Sequence, residues 1–344
     1  MNTIPHFNQR SPEVSILMPA RNADTTIGAA IASIASQSFQ NWELVIINDG
    51  STDATDTILR EITANDPRIH VHTTSPKGIA HALNLGISHC RAPWIARFDA
   101  DDLMMPERLK LQFLHAEENP ETKVISGLIT HGGASGGFSM YVDWLNSVIT
   151  AEDIALKRFI ESPVAHPSVM FRRDLIERFG GYRQGDFPED YELWLRWLGE
   201  GVKFGKVPHP ILVWNDSPSR LTRSDARYLP GKFYATKLSY LADWLRKNIT
   251  PAREIWLWGA GRVTRKRFAP LTAHGIRIRG YIDIDPNKCG HRRDGLCVVL
   301  PDDMPEIHNA FIVTCVGKRG ARELIQSELE TKGWIEGRDF LHAA

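Results

Sequence analysis

Apolar positions in the first hundred residues alternate between two periods. VSILMPA (14–20), WELVIIND (42–49) and RIHVHTT (68–74) are short runs rich in β-branched residues, the pattern of strands buried in a sheet. Between them, Ile27, Ala30, Ile31 and Ile34 recur at helical spacing behind Asp24–Thr25, a capping pair. Ser51–Thr52–Asp53 opens a second helix with Ile58, Leu59 and Ile62, and residues 78–89 predict a third with Ala82, Leu83, Leu85 and Gly86. WIARFDADD (94–102) reads as a fourth strand that runs straight into acid. Strands separated by single helices predict parallel pairing through right-handed crossovers, an α/β sheet covered on both faces.

After Gly127 the rhythm loosens. HGGASGG (131–137) reads as a mobile loop. An amphipathic stretch spans 151–161, HPSVMFRR (166–173) predicts a strand, and FPEDYELWLRWLGEG (187–201) predicts a helix opened by Pro188–Glu189–Asp190 and closed by Gly199 or Gly201. ILVWND (211–216) is a further strand, and residues 226–248 read as a helix. A second strand–helix alternation then runs through EIWLWGAG (254–261), GIRIRGYIDID (275–285) and FIVTCVG (311–317). The expected division is a catalytic domain over 1–225, a connecting helix over 226–250 and a smaller α/β domain over 251–344. There is no internal repeat.

Composition narrows the class. The chain has 344 residues, with 41 Lys and Arg against 41 Asp and Glu, a length that suits two domains. Charge balance argues against a nucleic-acid binder, which usually carries a basic excess. No apolar run approaches the ~20 residues that span a bilayer, and MNTIPHFNQRSPE has no signal-like apolar region. Cys90, Cys289, Cys297 and Cys315 are scattered without a CxxC pair, which fits a reducing cytoplasm rather than a zinc ribbon or disulfide scaffold.

Candidate chemistry is concentrated in five segments: ILMPARN (16–22), IINDGSTD (46–53), ALNLGI (82–87), ARFDADD (96–102) and PEDYELWLR (188–196). In this order and spacing, over residues 13–220, the chain resembles the inverting family 2 glycosyltransferases of the GT-A fold. Elementary topology agrees, since ligands of open α/β sheets lie beyond the carboxyl ends of the strands, where Pro19, Asp49 and Asp99 fall. Breaking a sugar–diphosphate bond leaves negative charge on the diphosphate. A hard cation held by carboxylates stabilises that charge, so the expected cofactor is Mg²⁺ or Mn²⁺. In strand geometry Asp99 and Asp101 would point the same way. The family pattern makes Asp101 the metal ligand with Asp99 near the ribose or metal and Asp102 in support. A plain acidic turn capping the next helix is the alternative.

The resemblance further implies that Asp49 accepts from the nucleobase and that Pro19, Ala20, Arg21 and Asn22 line the base pocket. Asp53 suits a helix cap. Lys77, at a loop-to-helix junction, could meet an anion or stand solvated. An inverting transfer needs a general base for the acceptor hydroxyl, and the resemblance gives that role to Asp190 of the Glu189–Asp190 pair. His166 is either an acceptor contact or a packed histidine. Trp194, three residues before Trp197, belongs either to a sugar-stacking platform or to the core. Arg220 and Arg223 either neutralise the diphosphate or form a basic linker.

WGAGRVTRK (258–266) places Gly259 and Gly261 at the first two positions of GxGxxG, with Thr264 at the third. Asp283 follows near the spacing of an acidic ribose contact. This region resembles the Rossmann-like nucleotide-binding domains found beside sugar-modifying transferases. The combined expectation is a metal-dependent inverting transferase moving a sugar from a nucleotide-diphosphate donor, UDP-linked, to a glycan or lipid-linked hydroxyl at the cytoplasmic membrane face. The competing reading is an NAD(P)-dependent sugar-nucleotide oxidoreductase or epimerase centred on the C-terminal domain.

Overall fold

A computed structural model describes residues 11–133, 136–216, 220–318 and 320–344. Packing divides the chain into two compact units. The first takes residues up to Ala151 with Val164–Gly185 and Glu200–Arg220; the second takes Glu152–Pro163, Asp186–Gly199 and Leu221–Ala344. A linear division into 1–225, 226–250 and 251–344 therefore differs from the packing, which draws two early segments and the 226–250 stretch into the C-terminal unit.

The first unit is built on an eight-stranded sheet of β1 (Val14–Ala20), β2 (Trp42–Asp49), β3 (Ile69–Thr74), β4 (Trp94–Arg97), β5 (Leu103–Met104), β6 (Thr122–Gly132), β7 (Met170–Arg172) and β8 (Lys203–Asn215), ordered β3-β2-β1-β4-β7-β6-β8-β5. Strands β1 to β4 pair in parallel, as the alternation of strand and helix predicts. Val14, Ile16 and Met18 share one apolar cluster with Ile27, Ala30, Ile31 and Ile34 of the Ile27–Ala35 helix. On the opposite face the Ile79–His89 helix comes so close that a Cβ on Gly86 would lie 2.1 Å from Leu17 Cδ1 and 3.0 Å from Ile47 Cγ1. The glycine is what lets that helix seat on the sheet.

Beyond β4 the sheet becomes mixed, with β7 antiparallel to β4 and β6, β6 parallel to β8 and β5 antiparallel to β8. The segment 166–173 is a 3₁₀ turn, His166–Ser168, followed by three residues of strand. Pro167 cannot donate to a ladder, which shortens it. The glycine-rich run divides: His131 and Gly132 end β6, Gly137 begins the Gly137–Ser147 helix, and Ala134–Ser135 lie outside the described residues.

The second unit carries its own sheet of β9 (Glu254–Trp258), β10 (Ile278–Ile282), β11 (Arg292–Arg293), β12 (Leu296–Val299), β13 (Ala310–Thr314) and β14 (Phe340–His342), ordered β11-β12-β10-β9-β13-β14. All pairs but β11–β12 are parallel. Chain order reverses between β9 and β13, the arrangement of a Rossmann-like sheet. One apolar cluster joins Leu257, Val313 and Leu341 of this sheet to Leu238, Leu241 and Leu245 of the Pro230–Asn248 helix. It also takes in Phe159 and Tyr191 and Leu195 of the Glu189–Gly199 helix. The helix with the PEDYELWLR motif is thus rooted in the C-terminal core.

Candidate active site

The acidic segment is not strand. β4 ends at Arg97, and Asp99 to Asp102 form a turn before β5. Alternation along a strand is therefore replaced by convergence around the turn. Asp99, Asp101 and Asp102 each offer a carboxylate oxygen within 4.8 Å of the others. Arg97, buried, pairs with Asp99 at 2.5 Å. Arg108 closes the strand ends by donating to the carbonyls of Pro167 (2.7 Å) and Arg97 (2.8 Å).

Asp102 is 1% exposed. Its Oδ1 accepts from the Asn215 backbone N–H at 2.9 Å, while Oδ2 has no hydrogen-bond partner among the described residues. Asn215 Nδ2 also donates to the Asp101 carbonyl at 2.7 Å, so the end of β8 fixes both sides of the turn. Burial first, then the Asp99 charge, raises Asp101 to about 6, and the same causes with Asp101 added push Asp102 well up. Three crowded carboxylates and an unpartnered buried oxygen form a hard, oxygen-only donor set, which fits Mg²⁺ or Mn²⁺.

Arg220 belongs to this neighbourhood. Its charge lowers Asp101, its guanidinium lies 3.6 Å from Asp216, and it stacks on Phe138 and Trp214 at 4.4 and 4.5 Å from the ring centres. Arg223 stands exposed on the short Leu221–Ser224 helix of the second unit.

Asp49, at the end of β2, is buried and receives the backbone N–H groups of Lys77 (2.8 Å) and Gly78 (2.9 Å), one on each oxygen. Each oxygen retains a lone pair for a further donor. Lys77 itself is exposed. Asn22 has φ +50°, and its Oδ1 accepts from Thr52 N at 2.8 Å, tying the Pro19–Asn22 segment to the β2 turn. Arg21 is exposed and Ala20 buried. Asp53 accepts from Asp24 N and Thr55 N, which ties the Asp24 loop to the start of the Thr55–Thr63 helix.

Gly50 makes the turn possible. It has φ +66°, and a Cβ there would lie 2.5 Å from Pro76 Cδ and 2.8 Å from Pro76 N. Left-handed backbone costs an L residue about 1–2 kcal/mol, and the collision with a ring cannot be relieved by a rotamer. Gly50→Ala is expected to lower stability by about 2–4 kcal/mol, read by calorimetry as a drop in the unfolding temperature. An unchanged Tm would show that the 75–78 loop yields freely.

The remaining candidates separate. His166 is buried, bonded through Nε2 to Tyr182 Oη at 2.8 Å, and held neutral by burial and the Arg97 charge. Trp194 is a correction to the platform expectation: it and Trp197 are both 0% exposed and pack edge to face at 5.6 Å. A stacking platform needs an open face, and these indoles are core. In the second unit, Gly259 has φ +122° and packs against Val316, while Gly261 has φ −63°. Asp283 turns inward, accepting from Ala260 N (2.8 Å), Asp285 N (3.0 Å) and twice from Lys288 Nζ (3.1 Å). These contacts tie Asp283 to the turn after β9 and to Lys288.

Glu189 and Asp190 begin the Glu189–Gly199 helix. Asp190 is half-buried and accepts from Tyr191 N at 2.7 Å. Glu189 is 2% exposed, and burial with the neighbouring Asp190 charge raises it to about 7. Sequence reasoning assigned nothing to Arg97, Asn215 or Tyr228, although each lies in a segment already singled out; only the fold shows their partners.

Comparison with known proteins agrees with this geometry. Residues 15–180 match the family described as Glycosyl transferase family 2. The O-antigen biosynthesis glycosyltransferase WbnJ of Escherichia coli is 31% identical over 54% of this chain and 72% of its own. EpsE of Bacillus subtilis (strain 168) is 32% identical over 56% of this chain and 69% of its own. Among solved structures, S. aureus TarS 1-349 in complex with UDP-GlcNAc superposes with a TM-score of 0.54 at 17% identity, covering 76% of this chain and 72% of that one. That likeness establishes the GT-A-like fold. Among the described residues, no helix is long and apolar enough to cross a membrane. The chain is an enzyme and belongs to glycosyl transferase family 2.

Proposed function

We propose that this enzyme transfers a sugar, with inversion, from a UDP-sugar to a hydroxyl of a growing surface glycan, lipid-linked and met at the cytoplasmic face of the membrane. The observation that carries the reading is the convergence of Asp99, Asp101 and Asp102 on one turn with a buried, unpartnered oxygen. Asp101 and Asp99 would hold Mg²⁺ or Mn²⁺, with Asp102 in support. The cation supplies charge stabilisation for the departing diphosphate. The Asp49 turn, with Asn22 and the Pro19–Arg21 segment, receives the nucleobase. Arg220 adds positive charge beside the carboxylates, and Arg223 and Lys77 are further candidates for diphosphate contact. Asp190 takes the acceptor proton as the new bond forms. The polysaccharide assignment is supported by relatives described for O-antigen and amylovoran biosynthesis.

A panel of UDP-, GDP- and TDP-sugars, assayed with Mn²⁺, with Mg²⁺ and with EDTA, tests donor and metal. Anomeric configuration of the product by NMR tests inversion. Turnover unaffected by EDTA would overturn the metal assignment. Arg220→Ala is expected to raise KM for the donor roughly tenfold, the scale of one lost charge-assisted contact. Arg220→Lys should recover part of it. An unchanged KM would leave Arg220 as a packing residue between Phe138 and Trp214.

A further inference from the structure

The second unit holds a contact that neither the motif nor the family match assigns. Tyr228 lies on the 3₁₀ turn Ala226–Tyr228, just before the Pro230–Asn248 helix. Its hydroxyl is 2.7 Å from one oxygen of Glu189 and 2.9 Å from the other, so its single proton is shared across the carboxylate. The turn is itself braced. Asp225 accepts from Arg227 N at 2.9 Å and from the Arg227 guanidinium at 2.7–3.1 Å. Tyr228 is buried with Glu189, which keeps water from replacing the hydroxyl.

We propose that Tyr228 is a positioning residue for the transfer reaction, holding Glu189 ionised and in place beside Asp190. The proposal rests on the reading of Asp190 as general base. Two adjacent carboxylates repel, and an ionised Glu189 makes its neighbour a stronger base. A buried carboxylate keeps its charge only where a donor satisfies it. Among the described residues, the charged and titratable groups that act most strongly on Glu189 are Asp190 on its own helix and Tyr228 and Arg227 on the braced turn. The Pro230–Asn248 helix contributes Tyr240, which bonds Glu192.

Tyr228→Phe removes the donor and keeps the ring. Without it Glu189 retains a proton to higher pH, so the pair reaches its doubly ionised form later. The full-length enzyme is assayed for UDP release from UDP-GlcNAc, or from the donor that the panel identifies, between pH 5.5 and 9. The acid limb of kcat, near 7 in the wild type, is expected to move up by about one unit, a loss of about fivefold at pH 7 that approaches tenfold at pH 5.5 and nearly vanishes at pH 9, with donor KM unchanged. A purely structural tyrosine would lower the whole profile without moving its limb.

A second readout needs no turnover. The Tm difference between wild type and Tyr228→Phe should be larger at pH 8 than at pH 5, and this pH dependence should vanish when both carry Glu189→Gln. A superimposable acid limb, or a Tm difference independent of pH, overturns the proposal. Asp190→Asn run alongside separates the two failures. If it retains transfer, the base assignment falls; if it is inactive while the Tyr228→Phe limb stays in place, only the role of Tyr228 falls.

Discussion

Asp101→Asn is expected to lower turnover of the nucleotide sugar by about a thousandfold, the scale seen when one electrostatic stabiliser of a developing charge is removed. Size and hydrogen-bonding shape are nearly preserved, so the loss measures charge. The carboxylate stands among Asp99 and Asp102, within 4.8 Å oxygen to oxygen, and Asp102 is already tied on one side by Asn215. Removing Asp101 therefore leaves Asp99, which Arg97 neutralises in part. Mn²⁺ affinity, followed by titration calorimetry, should weaken in parallel with kcat. Full metal-dependent turnover in the variant would remove Asp101 from the site.

The second large effect is expected at Asp190. Asp190→Asn should cost about 10²–10⁴ in transfer while leaving donor binding intact, because an amide cannot accept the acceptor's proton. The pH dependence of the wild type carries a sign. Glu189 is raised above its ordinary value by burial and by Asp190, to about 7, so the pair becomes fully ionised only as pH rises through neutrality. Activity should therefore climb from pH 6 to pH 8, and Glu189→Gln should flatten that climb. Retained transfer in Asp190→Asn would exclude it as the base.

The parallel half of the first sheet was readable because its strands and helices carry clean periods. VSILMPA, WELVIIND and the Ile27–Ile34 stripe each fall in the element their spacing predicts. Strand β8 is harder to read. Pro208 and Pro210 interrupt KFGKVPHPILVWN, and the ladder to β6 shifts register there. Short-range pattern cannot show that its last residue, Asn215, will hold the turn 113 positions earlier. The DADD segment reads in the sequence as acid following a strand, but its geometry was not legible, because three carboxylates converge through a turn where strand alternation would have set Asp102 apart. Tryptophan spacing was likewise ambiguous: Trp194 and Trp197 share a helix face in either reading, and only burial decides for the core.

The interleaved make-up of the second unit has a consequence for biosynthesis. Its apolar cluster joins Phe159, Tyr191 and Leu195 to Val313 and Leu341, partners separated by more than a hundred residues. A ribosome delivers these halves seconds apart at ordinary elongation rates. The strands of the first unit can pair while the Glu189–Gly199 helix still lacks the sheet that covers it. During that interval Tyr191 and Leu195 stand exposed, a window for chaperone binding. The carboxylate pair at the head of that helix is accordingly assembled last, so a nascent chain acquires its donor-side turns before its proposed base.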